Sequence, residues 1–239
     1  MPRKALILGG TKEARMLASR LLRTGLDVTS SFAGVTENPI LPEGKIRVGG
    51  FGGVEGMREY LLAEQIDVLV DAAHPFAAVI SAHAAEASPD VLRLERPAWV
   101  PLLQDRWIDV QNNETALEAL PSGSRVMLTI GRKEVAVFTS RSDLTGVARM
   151  IEPPAAALSE NWQLVLERPP FTMADELALM KQLEITHLVT KNAGGRETAA
   201  KLGAARSLGI SVVMIARPFK PKVETFTTVD AIAAAIASR

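Results

Sequence analysis

The chain has 239 residues, 47% of them hydrophobic, enough to fill the core of one large domain or two small ones. Lys plus Arg and Asp plus Glu number 27 each, so the formal net charge is zero; this argues against a nucleic-acid or membrane-surface binder and leaves room for a local basic cleft. There is no cysteine, which excludes disulfides, thiolate metal sites, iron–sulfur clusters and a cysteine nucleophile, and His74, His83 and His187 lack metal-ligand spacing, so no bound metal is expected.

The apolar run after Met1-Pro2-Arg3-Lys4 is too short for a signal-peptide core, and no stretch approaches a membrane span, so a cytoplasmic location is expected. Residues 5–8 form a continuous apolar run that stops at Gly9-Gly10, the pattern of a strand buried on both faces of a parallel sheet. Ala14, Leu17, Ala18, Leu21 and Leu22 then recur at helical spacing, with Thr11 placed to cap the start and Gly25 the end. Strands are expected at 28–32 and 46–48, a helix at 54–64, a strand at 68–72, a helix at 76–87 and a strand at 91–94. Residues 96–105, with Pro97, Trp99 and Pro101, read as the link between two lobes.

Beyond the link the same grammar predicts strands at 125–130, 146–151, 164–166, 188–190 and 212–215. Helices are expected at 114–120, 133–140, 174–183, 197–208 and 230–237. Repeated βα units imply an α/β chain with parallel sheets and right-handed crossovers. The expected division is 1–100 and 101–239, with terminal strands able to cross between lobes. The stretches from Leu6 and from Leu188 each run strand, glycine pair, Ala/Leu helix, glycine stop, strand. Common ancestry and the general form of any βαβ unit both account for that similarity.

Glycines that follow a buried strand and open a helix let backbone N–H groups approach a phosphate. Gly9-Gly10-Thr11-Lys12-Glu13-Ala14-Arg15 holds that place, with Thr11 and Ala14 where the second and third glycines of the G-x-G-x-x-G fingerprint would stand. At the end of the next strand, where NAD-binding chains carry an acid, this one has Ser30 and Ser31, while Asp27 lies at the strand's other end. Hydroxyls there, with Arg15 supplying charge, favour the 2′-phosphate of NADPH over a free 2′-hydroxyl, a merely polar strand end being the alternative. Gly49-Gly50-Phe51-Gly52-Gly53 suggests close backbone approach by a ligand, a flexible loop being the alternative. Ala73 and His74 follow the fourth strand at the carboxyl edge, where His74 is a candidate proton donor or positioning group, or a structural helix-start residue. In the second half, Thr129, Gly131 and Arg132, then Lys191, Asn192, Gly194 and Gly195, then Arg217 lie in loops after successive strands, together with Arg168. Such loops on one edge would form a basic cleft for an acidic ligand; a scatter of solvated charge is the alternative.

As a set these motifs resemble the precorrin-6A reductases of vitamin B12 (cobalamin) synthesis. The matching stretches are Ile7-Leu8-Gly9-Gly10-Thr11-Lys12-Glu13-Ala14-Arg15, Val48-Gly49-Gly50-Phe51-Gly52-Gly53, Asp71-Ala72-Ala73-His74-Pro75-Phe76-Ala77, Arg93-Leu94-Glu95-Arg96-Pro97, Arg168-Pro169-Pro170-Phe171-Thr172 and Val189-Thr190-Lys191-Asn192-Ala193-Gly194-Gly195. The resemblance implies two Rossmann-like parallel-sheet domains facing a central cleft, the first for NADPH and the second for substrate. It also implies reduction of the C18–C19 double bond of the acidic tetrapyrrole precorrin-6A, with hand-over to other corrin-pathway enzymes. The cobalt-containing substrate, a sugar-nucleotide reductase or epimerase, and a non-catalytic dinucleotide sensor stay open. The sugar-nucleotide alternative lacks a Tyr-x-x-x-Lys pair, since Tyr60 is followed by Glu64.

Overall fold

The computed structural model describes residues 2–34 and 40–239. In its first part the elements are β1 (Lys4–Leu8), α1 (Lys12–Arg23), β2 (Asp27–Phe32), β3 (Lys45–Val48), α2 (Gly53–Ala63), β4 (Val68–Asp71), α3 (Ala78–Ala87) and β5 (Leu92–Leu94). There follow β6 (Arg106–Val110), α4 (Asn113–Glu118), β7 (Arg125–Thr129), α5 (Val135–Thr139), β8 (Thr145–Met150), β9 (Trp162–Leu166) and α6 (Met173–Gln182). The last are β10 (His187–Lys191), a 3₁₀ turn (Arg196–Thr198), α7 (Ala200–Leu208), β11 (Ser211–Ile215), β12 (Glu224–Phe226) and α8 (Val229–Ala237). Among the described residues no helix is long and apolar enough to cross a membrane.

The chain divides into two compact units, Met1–Pro97 with Pro218–Arg239, and Ala98–Arg217. Each holds one six-stranded sheet, as the α/β reading requires. The orders are β12-β5-β4-β1-β2-β3 and β6-β11-β10-β7-β8-β9. Every pairing is parallel. The two units thus share one topology apart from the edge strand, which the first unit takes from the end of the chain and the second from its own start. Residues 218–239 therefore pack with the first unit rather than with 101–217.

In the first unit β1 is buried on both faces. Ala5 and Ile7 join Ala14, Leu17, Ala18 and Leu21 of α1 and Ile232 and Ile236 of α8. Leu6 and Leu8 join Met57 of α2, Leu69 and Ala84 of α3. Helices on both faces explain why β1 reads as an unbroken apolar run. They also explain the return of the C-terminus: the fully buried Ile232 and Ile236 cover the α1 side of the sheet, and burying each such side chain stabilises by roughly 1.5–3 kcal/mol.

The core of the second unit contains charge. Arg149 of β8 donates from Nη2 to Glu176 Oε1 of α6 at 2.6 Å, with side-chain exposures of 5% and 0%. The Arg149 guanidinium lies 3.7 Å over the Phe171 ring, and Lys201 Nζ lies 5.3 Å over Trp99. Burial pushes the Lys201 ammonium down to about 7, Arg149 adding to the shift and Glu176 opposing it. An unfolded lysine stays protonated up to its ordinary value of 10.5, so between the two values unfolding takes up a proton. Stability should therefore rise with pH over that window, by about 1.4 kcal/mol per unit from this group, and be insensitive to it at lower pH. Lys201→Met should raise the urea midpoint at about pH 6 and flatten the rise between about pH 7 and pH 10. An unchanged slope in that variant would remove Lys201 from the account.

Candidate active site

The first sheet reverses its strand order at β1 and β4: the chain moves outward through β2 and β3, then returns to β4 and continues through β5 on the other side. Loops leaving β1 and β4 diverge there, which opens a crevice at the carboxyl ends of the strands. Thr11 bridges it. Its Oγ1 donates to the Ala72 carbonyl at 2.9 Å and accepts from Ala14 N–H at 3.0 Å, capping α1. Gly9 N–H donates to the Ser31 carbonyl at 2.9 Å, and a Cβ at Gly9 would stand 3.3 Å from the Phe32 ring. Gly10 has φ of 113° and open space where a Cβ would be. The backbone at the start of α1 can therefore be approached closely. Glu13 forms an ion pair with Arg96 at 2.8 Å, and Arg15 sits half-buried on α1.

The β4 loop is fixed from beneath. Asp71, 1% exposed, accepts from Arg93 Nε at 2.8 Å, in register on the neighbouring strand. Arg93 Nη1 donates to the Pro221 carbonyl at 2.9 Å. The other Asp71 oxygen accepts from Ala73 N–H at 3.3 Å. His74 Nδ1 accepts from Phe76 N–H at 3.3 Å, which in the neutral ring puts the proton on Nε2. The His74 carbonyl accepts from Ala77 N–H at 2.8 Å, and α3 begins at Ala78, later than the apolar pattern suggests.

At the outer edge of this unit Ser30 and Ser31 are 2% and 5% exposed, so neither hydroxyl is open in the way the sequence suggests. Ser31 Oγ accepts from Arg47 Nη1 at 3.3 Å. Arg47, which no sequence motif singles out, lies 3.7 Å over the Phe51 ring and donates to the Gly49 and Gly50 carbonyls at 2.6 and 2.9 Å. Gly52 precedes α2 with φ of 83°, and Gly53 opens the helix with φ of 92°. A Cβ at Gly49, Gly50, Gly52 or Gly53 would meet nothing within 4 Å, which fits close approach by a ligand.

In the second unit β7 holds the place that β1 holds in the first, and β10 the place of β4. The likeness between the stretches from Leu6 and Leu188 therefore pairs strands that are not topological equivalents. The counterpart of Gly10 is Gly131, with φ of 108° beyond β7. Cations fill the expected loops, but carboxylates answer them. Lys191 Nζ lies 2.7 Å from Glu134, and Arg132 lies 3.2 Å from Glu152, which Arg168 also approaches at 4.0 Å. The edge is thus charge-paired rather than bare. Thr129 Oγ1 donates to the Val189 carbonyl at 3.3 Å. Asn192 does structural work: its amide oxygen accepts from Trp99 N–H at 2.7 Å, and its amide nitrogen donates to the Trp99 carbonyl at 3.0 Å. Arg217 Nε donates to the Asn192 carbonyl at 2.9 Å. Gly194 has φ of 72°, and Gly195 precedes the 3₁₀ turn.

Strand orders that reverse beside a glycine turn and a capped helix define a Rossmann-like α/β protein. Among known proteins, the family described as Precorrin-6x reductase CbiJ/CobK matches residues 4–237. A Precorrin-6A reductase of Rhodococcus erythropolis is 46% identical over 98% of this chain and 96% of its own. One of Mycobacterium tuberculosis is 47% identical over 91% and 90%. A solved structure described as CobK precorrin-6A reductase matches with a TM-score of 0.92 at 37% identity, covering 99% of this chain and 96% of that one. The chain belongs to the precorrin-6x reductase family and is an oxidoreductase, which sets aside the sensing-module and sugar-nucleotide alternatives.

Thr11 is the residue on which the switch-point geometry turns. Thr11→Val keeps the shape and removes both the bond to Ala72 and the cap, and should cost about 1–2 kcal/mol in urea denaturation. Thr11→Ser should restore most of it. A valine variant as stable as the parent would contradict the bridging role.

Proposed function

We propose that this chain reduces the C18–C19 double bond of precorrin-6A with NADPH, a step of cobalamin biosynthesis. The observation that carries this is the open Gly9-Gly10-Thr11 turn at the strand-order reversal, in a chain 46% identical to a Precorrin-6A reductase over nearly its whole length. The residues present suit a dinucleotide. The turn lets N–H groups at the α1 N-terminus face a pyrophosphate, and Gly50, Phe51, Gly52 and Gly53 leave their backbone approachable. Among the described residues no acid stands at the carboxyl end of β2 to take a 2′-hydroxyl, since Asp27 lies at the other end and is held by Lys45 at 2.6 Å; this favours NADPH over NADH. When bound, the reduced nicotinamide supplies the hydride.

The protein's part is orientation. Asp71 and Arg93 fix the loop carrying Ala73 and His74, and His74 then presents a fixed ring beside the nicotinamide. Arg132, Lys191 and Arg217, with the Thr129, Gly131, Gly194 and Gly195 backbone, receive the substrate's acetate and propionate groups, because charge-assisted contacts to carboxylates are the strong ones. Glu134 and Glu152 hold Lys191 and Arg132 beforehand. Substrate binding therefore exchanges one carboxylate for another, which limits the desolvation cost of each cation. Asn192 fastens its loop through the Trp99 backbone.

Anaerobic incubation with precorrin-6A and, separately, its cobalt-containing counterpart, followed at the NADPH absorbance, tests the assignment. Oxidation of NADPH by the metal-free compound is expected; none, or oxidation by the cobalt compound alone, would overturn it. His74→Ala should lower kcat well beyond any loss of stability, and unchanged turnover would make His74 structural. Arg132→Met should weaken tetrapyrrole binding by about 1.5–3 kcal/mol and leave NADPH affinity nearly unchanged. Equal losses for both ligands would place Arg132 at the cofactor.

A further inference from the structure

Arg47 stands in register beside Ser31, at the carboxyl ends of β3 and β2. One face of its guanidinium rests on Phe51 at 3.7 Å and reaches Tyr60 at 4.9 Å. Those two rings meet edge to face at 5.3 Å. Nη1 donates to Gly49 O and Ser31 Oγ, and Nη2 to Gly50 O. An arginine has five N–H donors in a fixed fork. The Nε–H and the second N–H of Nη2 therefore have no partner among the described residues.

We propose that Arg47 is the residue that selects the phosphorylated dinucleotide, its guanidinium receiving the 2′-phosphate and its outer face lying under the adenine. The inference rests on the proposed cofactor site and names its specificity determinant. With the pyrophosphate at Gly9 to Thr11, the adenosine of an extended dinucleotide falls past the end of β2. Ser30 and Ser31 are buried there, and Lys45 is held by Asp27 at the other end of β2, so the charged donor at the carboxyl ends of β2 and β3 is Arg47. It is also held in place. Two loop carbonyls and two rings fix the plane, so little rotamer entropy is lost on binding. A planar fork with two adjacent N–H groups matches two phosphate oxygens. Arg15, to which the sequence assigns the balancing charge, sits half-buried on α1.

Dissociation constants for NADPH, NADH, 2′,5′-ADP and 5′-AMP, measured by calorimetry on the parent, Arg47→Met, Arg47→Lys and Ser31→Asp, test this. Arg47→Met keeps an apolar contact with Phe51 and should weaken NADPH and 2′,5′-ADP at least about tenfold more than it weakens NADH and 5′-AMP, which share only the adenine contact. Arg47→Lys should fall between. Ser31→Asp sets a carboxylate against the guanidinium and should shift the preference toward NADH. Equal losses for phosphorylated and unphosphorylated ligands would make Arg47 a support for residues 49–53 only, and no loss would remove it from the site. Both results overturn the proposal and leave the cofactor site standing. A parent protein that binds none of the four ligands would instead overturn the cofactor site itself, and Arg47 with it. Thermal melting of each variant separates misfolding from lost recognition, and Arg47→Lys keeps the test available if the methionine variant is unstable.

Discussion

A single hydroxyl spans the point where the first sheet changes direction. Thr11 Oγ1 lies 2.9 Å from the Ala72 carbonyl and caps α1 in the same stroke. β1 and β4 are neighbours whose following loops must part, because one strand leads toward β2 and the other toward β5. Ala72 N–H donates to the Leu8 carbonyl at 3.0 Å across that parting, and the Thr11 hydroxyl adds a second tie through the Ala72 carbonyl. The tie fixes the start of α1 against the end of β4, and so fixes the glycine turn and the His74 loop relative to each other. The dinucleotide binding proposed for this unit depends on that registration.

Buried charge supports the same edges in both units. Asp71 with Arg93 and Arg149 with Glu176 lie in register positions or core faces where an apolar pair would pack at no desolvation cost. Such pairs contribute little net stability, while loss of one partner typically costs about 3–5 kcal/mol. What they add is direction. Asp71 accepts from Ala73 N–H as well as from Arg93, and so orients the loop that leads to His74. Arg149 carries Phe171 on its face, and Lys201 carries Trp99, whose backbone Asn192 holds. In the second unit the loop after β10 is thus anchored through an aromatic side chain to a charged core.

Much of this was legible in the residues, and the losses have physical causes. β1 and β4 are buried on both faces and announce themselves as apolar runs; α1 shows one apolar stripe and a threonine cap. β6 is an edge strand whose residues are largely exposed, and β12 spans only three residues, so neither carries a burial signal. The return of α8 to the first unit depends on which surface Ile232 and Ile236 find to cover, and local pattern does not encode that. Glycine turns such as those at Gly10, Gly52 and Gly53 are legible because positive φ is a local demand. Arg47, Glu134 and Glu152 escaped because their importance lies in partners. Lys191 and Glu134 are 57 positions apart, and only the parallel pairing of β7 with β10 brings them together. Asn192 lies in a loop that the sequence marks for a ligand, and its amide also makes two bonds to the Trp99 backbone, 93 positions away, that local pattern does not encode.

The central claim is that the dinucleotide lies on the β1 turn of the first unit and not on the equivalent β7 turn of the second. Amide hydrogen exchange with and without NADPH alone separates these most directly. The account predicts slowed exchange at Gly10 to Ala14 and across Gly49 to Gly53, with residues 129–134 unchanged. Protection that appears around Gly131 and leaves Gly10 and Thr11 untouched would contradict it.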